Sequence, residues 1–186
     1  CSQCQVFELP CCLSSQQEQL CLALPVPQPV TGEPLRLLFI GRLDSYKRLD
    51  WLLEALAQLT SPWQLSVVGD GPKRLRFENL AQRLFPSASP VRFLGCLSES
   101  SKLKQLAEAD LLVLPSDRSN EAFGIVQLEA MAAGCPVVGA NRGGIPDIIS
   151  DGVNGCLYEP DGEDAGAGSL IEATVALMCG VRSFFF

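Results

Sequence analysis

Two carboxylates, Glu121 and Glu129, stand eight positions apart in the stretch Ser119–Pro136. The pattern predicts a polar loop feeding a helix that runs from near Phe123 to Gly134. Gly is the usual residue just past a helix C-terminus, and Pro136 cannot continue one. Gln127 and Glu129 are the only polar side chains in that span, so the helix is expected to be buried. A carboxylate in such surroundings needs partners, because desolvating it alone is costly. Hydroxyls of a sugar or ribose would serve, and so would an arginine from elsewhere in the fold. At the helix start the amides of Phe123, Gly124 and Ile125 would be free to meet an anion, and Gly124 allows close approach. Two readings stand side by side. One is a ligand with phosphates and hydroxyls; the other is a Glu121 that caps or decorates the helix start and a Glu129 in an internal ion pair.

A second chemical pair is Arg42 and Lys47, five positions apart across a short polar loop. A guanidinium fork and an ammonium at that spacing can converge on neighbouring phosphate oxygens, or can simply be solvated loop charges. Gly69-Asp70-Gly71-Pro72 reads first as a tight turn. No GxGxxG follows a strand and no GxxxxGK[ST] occurs, which removes the usual dinucleotide and P-loop readings. The chain has no His, so Ser-His-Asp and Cys-His hydrolases are excluded.

These residues need elements to position them. A buried strand is expected at Leu35–Gly41, and further strands at Gln64–Gly69, Val91–Gly95, Asp110–Pro115, Pro136–Gly139 and Gly155–Tyr158. Helices are expected at about 47–59, 73–84, 98–109 (Ser98 as N-cap), 123–134 and 163–178, with a short one around Pro146–Ile149. Strands alternating with helices mean βαβ units and a parallel sheet, and right-handed crossovers bring the loops after the strands to one edge. Arg42, Lys47, the segment Cys96–Lys102 and the segment Glu121–Ile125 all belong to that edge.

The 186 residues suffice for one domain with a sizeable core. A hydrophobic fraction of 47% with 19% charged residues fits a globular chain. A net charge of −7 lacks the basic footprint of a nucleic-acid binder. No apolar run is long enough to span a membrane. Five of the nine cysteines (Cys1, Cys4, Cys11, Cys12, Cys21) crowd the start, but Cys1-x-x-Cys4 has no second pair and no His to complete a zinc set. No metal is expected. An odd cysteine count without a signal peptide points to reduced thiols and a cytoplasmic setting. Residues 1–34, rich in Cys and Pro, are expected to be a poorly ordered lead or linker remnant.

The motifs together resemble a known family. Gly41-Arg42-Leu43 with Lys47, Val68-Gly69-Asp70-Gly71-Pro72, Val91–Gly95, Glu121-Ala122-Phe123-Gly124, Glu129–Val138, Gly143–Pro146 and Asp151–Gly155 are similar, in order, to the "group 1" glycosyltransferases. These are retaining enzymes of GT-B architecture, and the likeness, over about 35–162, is to their C-terminal, donor-binding domain. The resemblance implies an α/β fold: a Rossmann-like parallel sheet with helices on both faces, the C-terminal half of a GT-B fold. It implies transfer of a hexose from a nucleotide-diphosphate sugar to an acceptor, with no metal and no other cofactor.

It also implies roles for matching residues. Arg42 and Lys47 would hold the donor diphosphate, and Glu121 would face the sugar near its anomeric region. Phe123, Gly124 and Ile125 would offer amides to sugar hydroxyls and phosphate. Glu129 would bind the ribose hydroxyls, the base would lie near Leu97, and Lys102 would flank it. Catalysis would come from cations and a helix N-terminus stabilising the departing diphosphate.

In that family the acceptor, a sugar or a lipid, is held mainly by an N-terminal domain, which would also carry any peripheral membrane association. Nothing in 1–34 resembles that domain, and the likeness fades beyond about Gly162, leaving 163–186 as a helix and tail. The expectation is a donor-binding half unable to turn over substrate alone. The alternatives are a non-catalytic nucleotide-sugar-binding module or an inactive fragment; a GT-B-like sugar-nucleotide epimerase fits the Glu121–Glu129 segment less well.

Overall fold

The computed structural model of the chain describes residues 13–23, 33–87, 89–117, 124–161 and 167–180. Six strands form one sheet: β1 (Leu35–Ile40), β2 (Trp63–Val68), β3 (Val91–Gly95), β4 (Leu111–Leu114), β5 (Val137–Ala140) and β6 (Gly155–Tyr158). Their spatial order is β3-β2-β1-β4-β5-β6, and every pairing is parallel. This is the doubly wound Rossmann order, with the chain reversing its direction of travel between β1 and β4. The central strands carry continuous apolar runs because helices cover both faces. Leu37, Leu38, Phe39, Leu111, Leu112, Val113, Val137 and Val138 are all fully buried.

Six α-helices accompany the sheet: α1 (Ser15–Leu22), α2 (Leu49–Leu56), α3 (Arg74–Leu84), α4 (Glu99–Glu108), α5 (Ile125–Ala132) and α6 (Ala167–Gly180). α2 packs against α3 and α6, while α5 packs against α4 and α1. Right-handed crossovers put these two sets on opposite faces of the sheet.

The loops after β1 and β2 lie backbone to backbone. Gly69 has φ +123, and a Cβ there would stand 2.0 Å from the Gly41 carbonyl oxygen. Gly41 N–H donates to Val68 O, Leu43 N–H to Asp70 O and Lys73 N–H to Leu43 O. The Gly69-Asp70-Gly71-Pro72 turn is thus accounted for by close packing of two loops.

Four expectations are corrected. The helix expected from Lys47 begins at Leu49, after a 3-10 turn at Ser45–Lys47, because Arg48 is left-handed at φ 49 and separates the two. The helix expected from Phe123 to Gly134 occupies Ile125–Ala132, since Gly124 is left-handed at φ 48. The short helix expected at Pro146–Ile149 is only a turn in which Ile145 O accepts from Ile148 and Ile149. Inside the lead expected to be poorly ordered, residues 15–22 form α1. Its start is fixed by a reciprocal cap: Ser14 Oγ accepts from Gln17 N, and the Gln17 side chain accepts from Ser14 N.

The prediction that α5 is buried holds in an unexpected way. Its polar residues Gln127 and Glu129 are 1% and 2% exposed, whereas Ile125 is 46% exposed. Among the described residues no helix is long and apolar enough to cross a membrane, and no cluster of side chains suits a metal ion.

Candidate functional site

The crevice of a doubly wound sheet opens at the carboxyl ends of the strands where the order reverses. Here that point is flanked by the loops after β1 and β4. Asp44 caps the 3-10 turn by accepting from Ser45 N at 2.7 Å. Lys47 ends that turn, and its stem crosses Gly41, where a Cβ would lie 3.6 Å from Lys47 Cε. Its ammonium sits 5.4 Å from the centre of the Tyr46 ring. Arg42 is 65% exposed, with its Nε 3.7 Å from Asp44. The two predicted diphosphate cations therefore share one rim, Lys47 folded back over the strand end and Arg42 exposed beside Asp44.

Three contacts tie the β4 loop to its neighbours. Asp117 N–H donates to Tyr46 O at 3.0 Å. Arg48 places its guanidinium 3.6 Å over the Trp51 ring and reaches Asp50 at 3.2 Å and Asp117 at 3.3 Å. Arg142 donates to Asp117 O and pairs with Asp161. Beneath them Tyr158 is buried with its hydroxyl unpartnered, and burial first, then Asp117, pushes its phenol pKa well up. The predicted residues Glu121 and Phe123, just beyond this anchored stretch, lie outside the described residues.

Gly124 begins α5, and its backbone conformation favours glycine. Its φ is +48, and a Cβ would stand 2.9 Å from Gln127 Nε2. Among the described residues neither end of the buried Gln127 amide has a hydrogen-bond partner. Ile125 sits at the first turn with its side chain turned outward. On the other flank, Ser98 caps α4 by accepting from Ser101 N, which sets Lys102 in the first turn; Leu97 precedes the cap, packed against the core.

Lys102 and Glu129, both expected from the sequence to meet the nucleoside, are in direct contact. The ammonium is 2.8 Å from each Glu129 oxygen and 2.9 Å from Glu99. Alignment as a hydrogen bond holds only for Oε1; Oε2 is shielded from solvent and has no hydrogen-bond partner. Burial works against the Lys102 charge, but the bonds to Glu129 and Glu99 outweigh it and raise its pKa. Gln17 of α1 approaches Oε1 at 3.5 Å. The internal-pair reading of Glu129 is thus met by a lysine rather than an arginine, with acceptor capacity left over.

Sequence reasoning missed Gln17, Arg48, Asp117, Gln127 and Arg142. The Ser14-x-x-Gln17 capping pattern was a signal for α1, and Gln127 stood out as a polar residue in an apolar helix; Arg48, Asp117 and Arg142 are set by long-range contacts. Two cavities lie elsewhere. One of about 220 Å³ is lined by Arg36, Ser66 and Arg92, and one of about 400 Å³ by Leu59, Trp63 and Phe85. Neither gathers the residues at issue.

A doubly wound parallel sheet with acids and cations gathered at its carboxyl edge defines a Rossmann-like α/β domain. The chain belongs to the family described as Glycosyl transferases group 1, whose model matches residues 25–174. It is 37% identical over 139 residues to the sulfoquinovosyl transferase SQD2 of Arabidopsis thaliana, covering 72% of this chain and 26% of that protein. It is 38% identical over 144 residues to the D-inositol 3-phosphate glycosyltransferase of Geodermatophilus obscurus, covering 70% and 31%. The chain thus spans between a quarter and a third of the length of these curated relatives. The structure of Anabaena Alr3699/HepE in complex with UDP-glucose superimposes with a TM-score of 0.71 at 26% identity, over 91% of this chain and 45% of that one. The architecture is that of the GT-B glycosyltransferases.

Proposed function

We propose that the chain binds a nucleotide-diphosphate hexose as the donor half of a retaining glycosyltransferase. Arg42 and Lys47 hold the diphosphate from the β1 rim, and the amides of Phe123, Gly124 and Ile125 approach phosphate and sugar hydroxyls. Glu121 faces the sugar near its anomeric carbon. Glu129 accepts the ribose hydroxyls, Lys102 orients its carboxylate, and the base lies along the backbone near Leu97. During transfer the bond from the anomeric carbon to the diphosphate oxygen breaks, one to an acceptor oxygen forms on the same face, and the acceptor hydroxyl's proton passes to the departing diphosphate. Cations and helix-start amides aimed at the departing diphosphate lower that barrier without a metal. A sugar or lipid acceptor is held by a further domain, which also carries any contact with a membrane surface, and this chain alone does not turn over.

The observation that carries the reading is Glu129, a buried carboxylate whose two oxygens share a single ammonium, aligned as a hydrogen bond to only one of them. A vicinal diol supplies the donors it lacks, and the neighbour solved with UDP-glucose supports a nucleotide sugar. The test is calorimetric titration of UDP, ADP and GDP, with their glucose conjugates, into wild type, Lys47→Ala and Glu129→Ala. Each substitution is expected to weaken binding by about tenfold or more. No binding by wild type would sink the proposal. Binding without transfer to any acceptor by this chain is the expected result, and efficient transfer would refute the half-site claim.

A further inference from the structure

Glu129 is covered by a helix with little reason of its own to be there. α1 reads Ser-Gln-Gln-Glu-Gln-Leu-Cys-Leu, polar around most of its circumference. At eight residues it is shorter than helices that persist alone in water. Among its described side chains only Cys21 is fully buried, and Leu20 remains 45% exposed. Cys21 lies within electrostatic reach of Glu129, Lys102 and Glu99; burial pushes its thiol pKa up, and Glu129 adds to this. Gln17 Nε2 meets Glu129 Oε1 at 3.5 Å, the outer limit of a hydrogen bond.

We propose that α1 is a displaceable cover over the donor site: docked, it fills the approach to Glu129 and Lys102, and a nucleoside diphosphate must lift it to reach them. The inference rests on the reading of Glu129 given above. The balance of contacts favours displacement. Docked α1 gives the carboxylate one long bond from a neutral amide and leaves Oε2 with none. A ribose diol gives two short, charge-assisted O–H···O bonds, roughly twice as strong as neutral ones. A cover that is docked in about nine molecules of ten raises the apparent Kd about tenfold, because only the open fraction is competent.

The test uses the full chain and two variants in α1. Cys21→Glu sets a second carboxylate against Glu129 and loosens α1; Gln17→Arg gives α1 a charge-assisted bond to Glu129 and holds it down. Titrated with UDP, ADP and GDP, Cys21→Glu is expected to bind the preferred nucleotide about tenfold more tightly than wild type, and Gln17→Arg more weakly. Saturating nucleotide is expected to speed hydrogen exchange of the 15–22 amides in wild type, a readout that stands even if one variant misfolds. Equal affinities in all three, with exchange unchanged, overturn the cover and leave the donor site standing. Weaker binding by a folded Cys21→Glu chain makes α1 part of the site and also overturns it. Binding by none of the three removes the donor site and the cover with it.

Discussion

Two buried carboxylates, each joined to a cation across the fold, differ in what is left unmet. At the amino ends of β1 and β4, Asp110 takes two bonds from the Arg36 guanidinium, at 3.0 and 2.6 Å, and a third from the Arg36 amide at 2.8 Å. Asp110 N–H returns a bond to Arg36 O, so the two strands are stitched in both directions. In α5, which follows the carboxyl end of β4, Glu129 is more deeply buried but has one ammonium between two oxygens and one oxygen without a hydrogen bond. A buried polar network completed from within holds the fold, and one left incomplete is costly unless something else finishes it. The contrast marks Asp110 as structural, and the proposed ligand role of Glu129 rests on it.

The largest expected effect breaks the comparison from the structural side. Asp110→Ala removes three bonds and orphans a strand amide; with Arg36 half exposed, the loss is expected at about 2–3 kcal/mol in urea unfolding. Nucleotide affinity per folded molecule should not change. Glu129→Ala should reverse the pattern, losing binding by about tenfold or more while stability moves by no more than about 1 kcal/mol, since Lys102 keeps Glu99. Equal stability losses in the two variants would erase the distinction.

Gly124→Ala is expected next, at about 1–2 kcal/mol, from a left-handed φ and a Cβ too close to Gln127. Weakened binding should accompany it, read by the same titration. The smallest effect concerns pH. The Lys102 pKa is raised in the folded chain, so its stabilising contribution is whole below the ordinary lysine value of about 10.4 and fades as pH rises through the higher folded value. Tyr158, also shifted up, fades in the same direction. The difference in thermal midpoint between wild type and Lys102→Met should therefore shrink above that range and stay constant below it.

Much of this was legible in the sequence because it depends on local patterns. Short apolar-rich runs closed by Gly or Pro marked most of the six strands, Ser98 marked the start of α4, and the alternation of elements implied a parallel sheet. Arg42, Lys47, Gly124 and Ile125 fell on the strand-end loops because a βαβ unit puts them there. What was not legible comes from pairs distant in sequence. Gln17 lies 112 positions from Glu129, and Arg48 lies 69 from Asp117. The apolar composition of α5 foretold burial but not which residues face inward. Gln127 and Glu129 point at neighbours, while Ile125 faces out at the first turn. Lys102 was placed beside the base by resemblance, and its contact with Glu129 emerged only when α4 and α5 were side by side.

The most direct measurement is the footprint of UDP-glucose on the backbone amide resonances of the labelled chain. The account predicts shifts at Arg42, Lys47, Leu97, Lys102, Gly124, Ile125 and Glu129, with Arg36 and Asp110 unmoved. A footprint on Arg36, Asp110 or the Arg92 cavity, with the β1 and β4 loop amides unmoved, would contradict it.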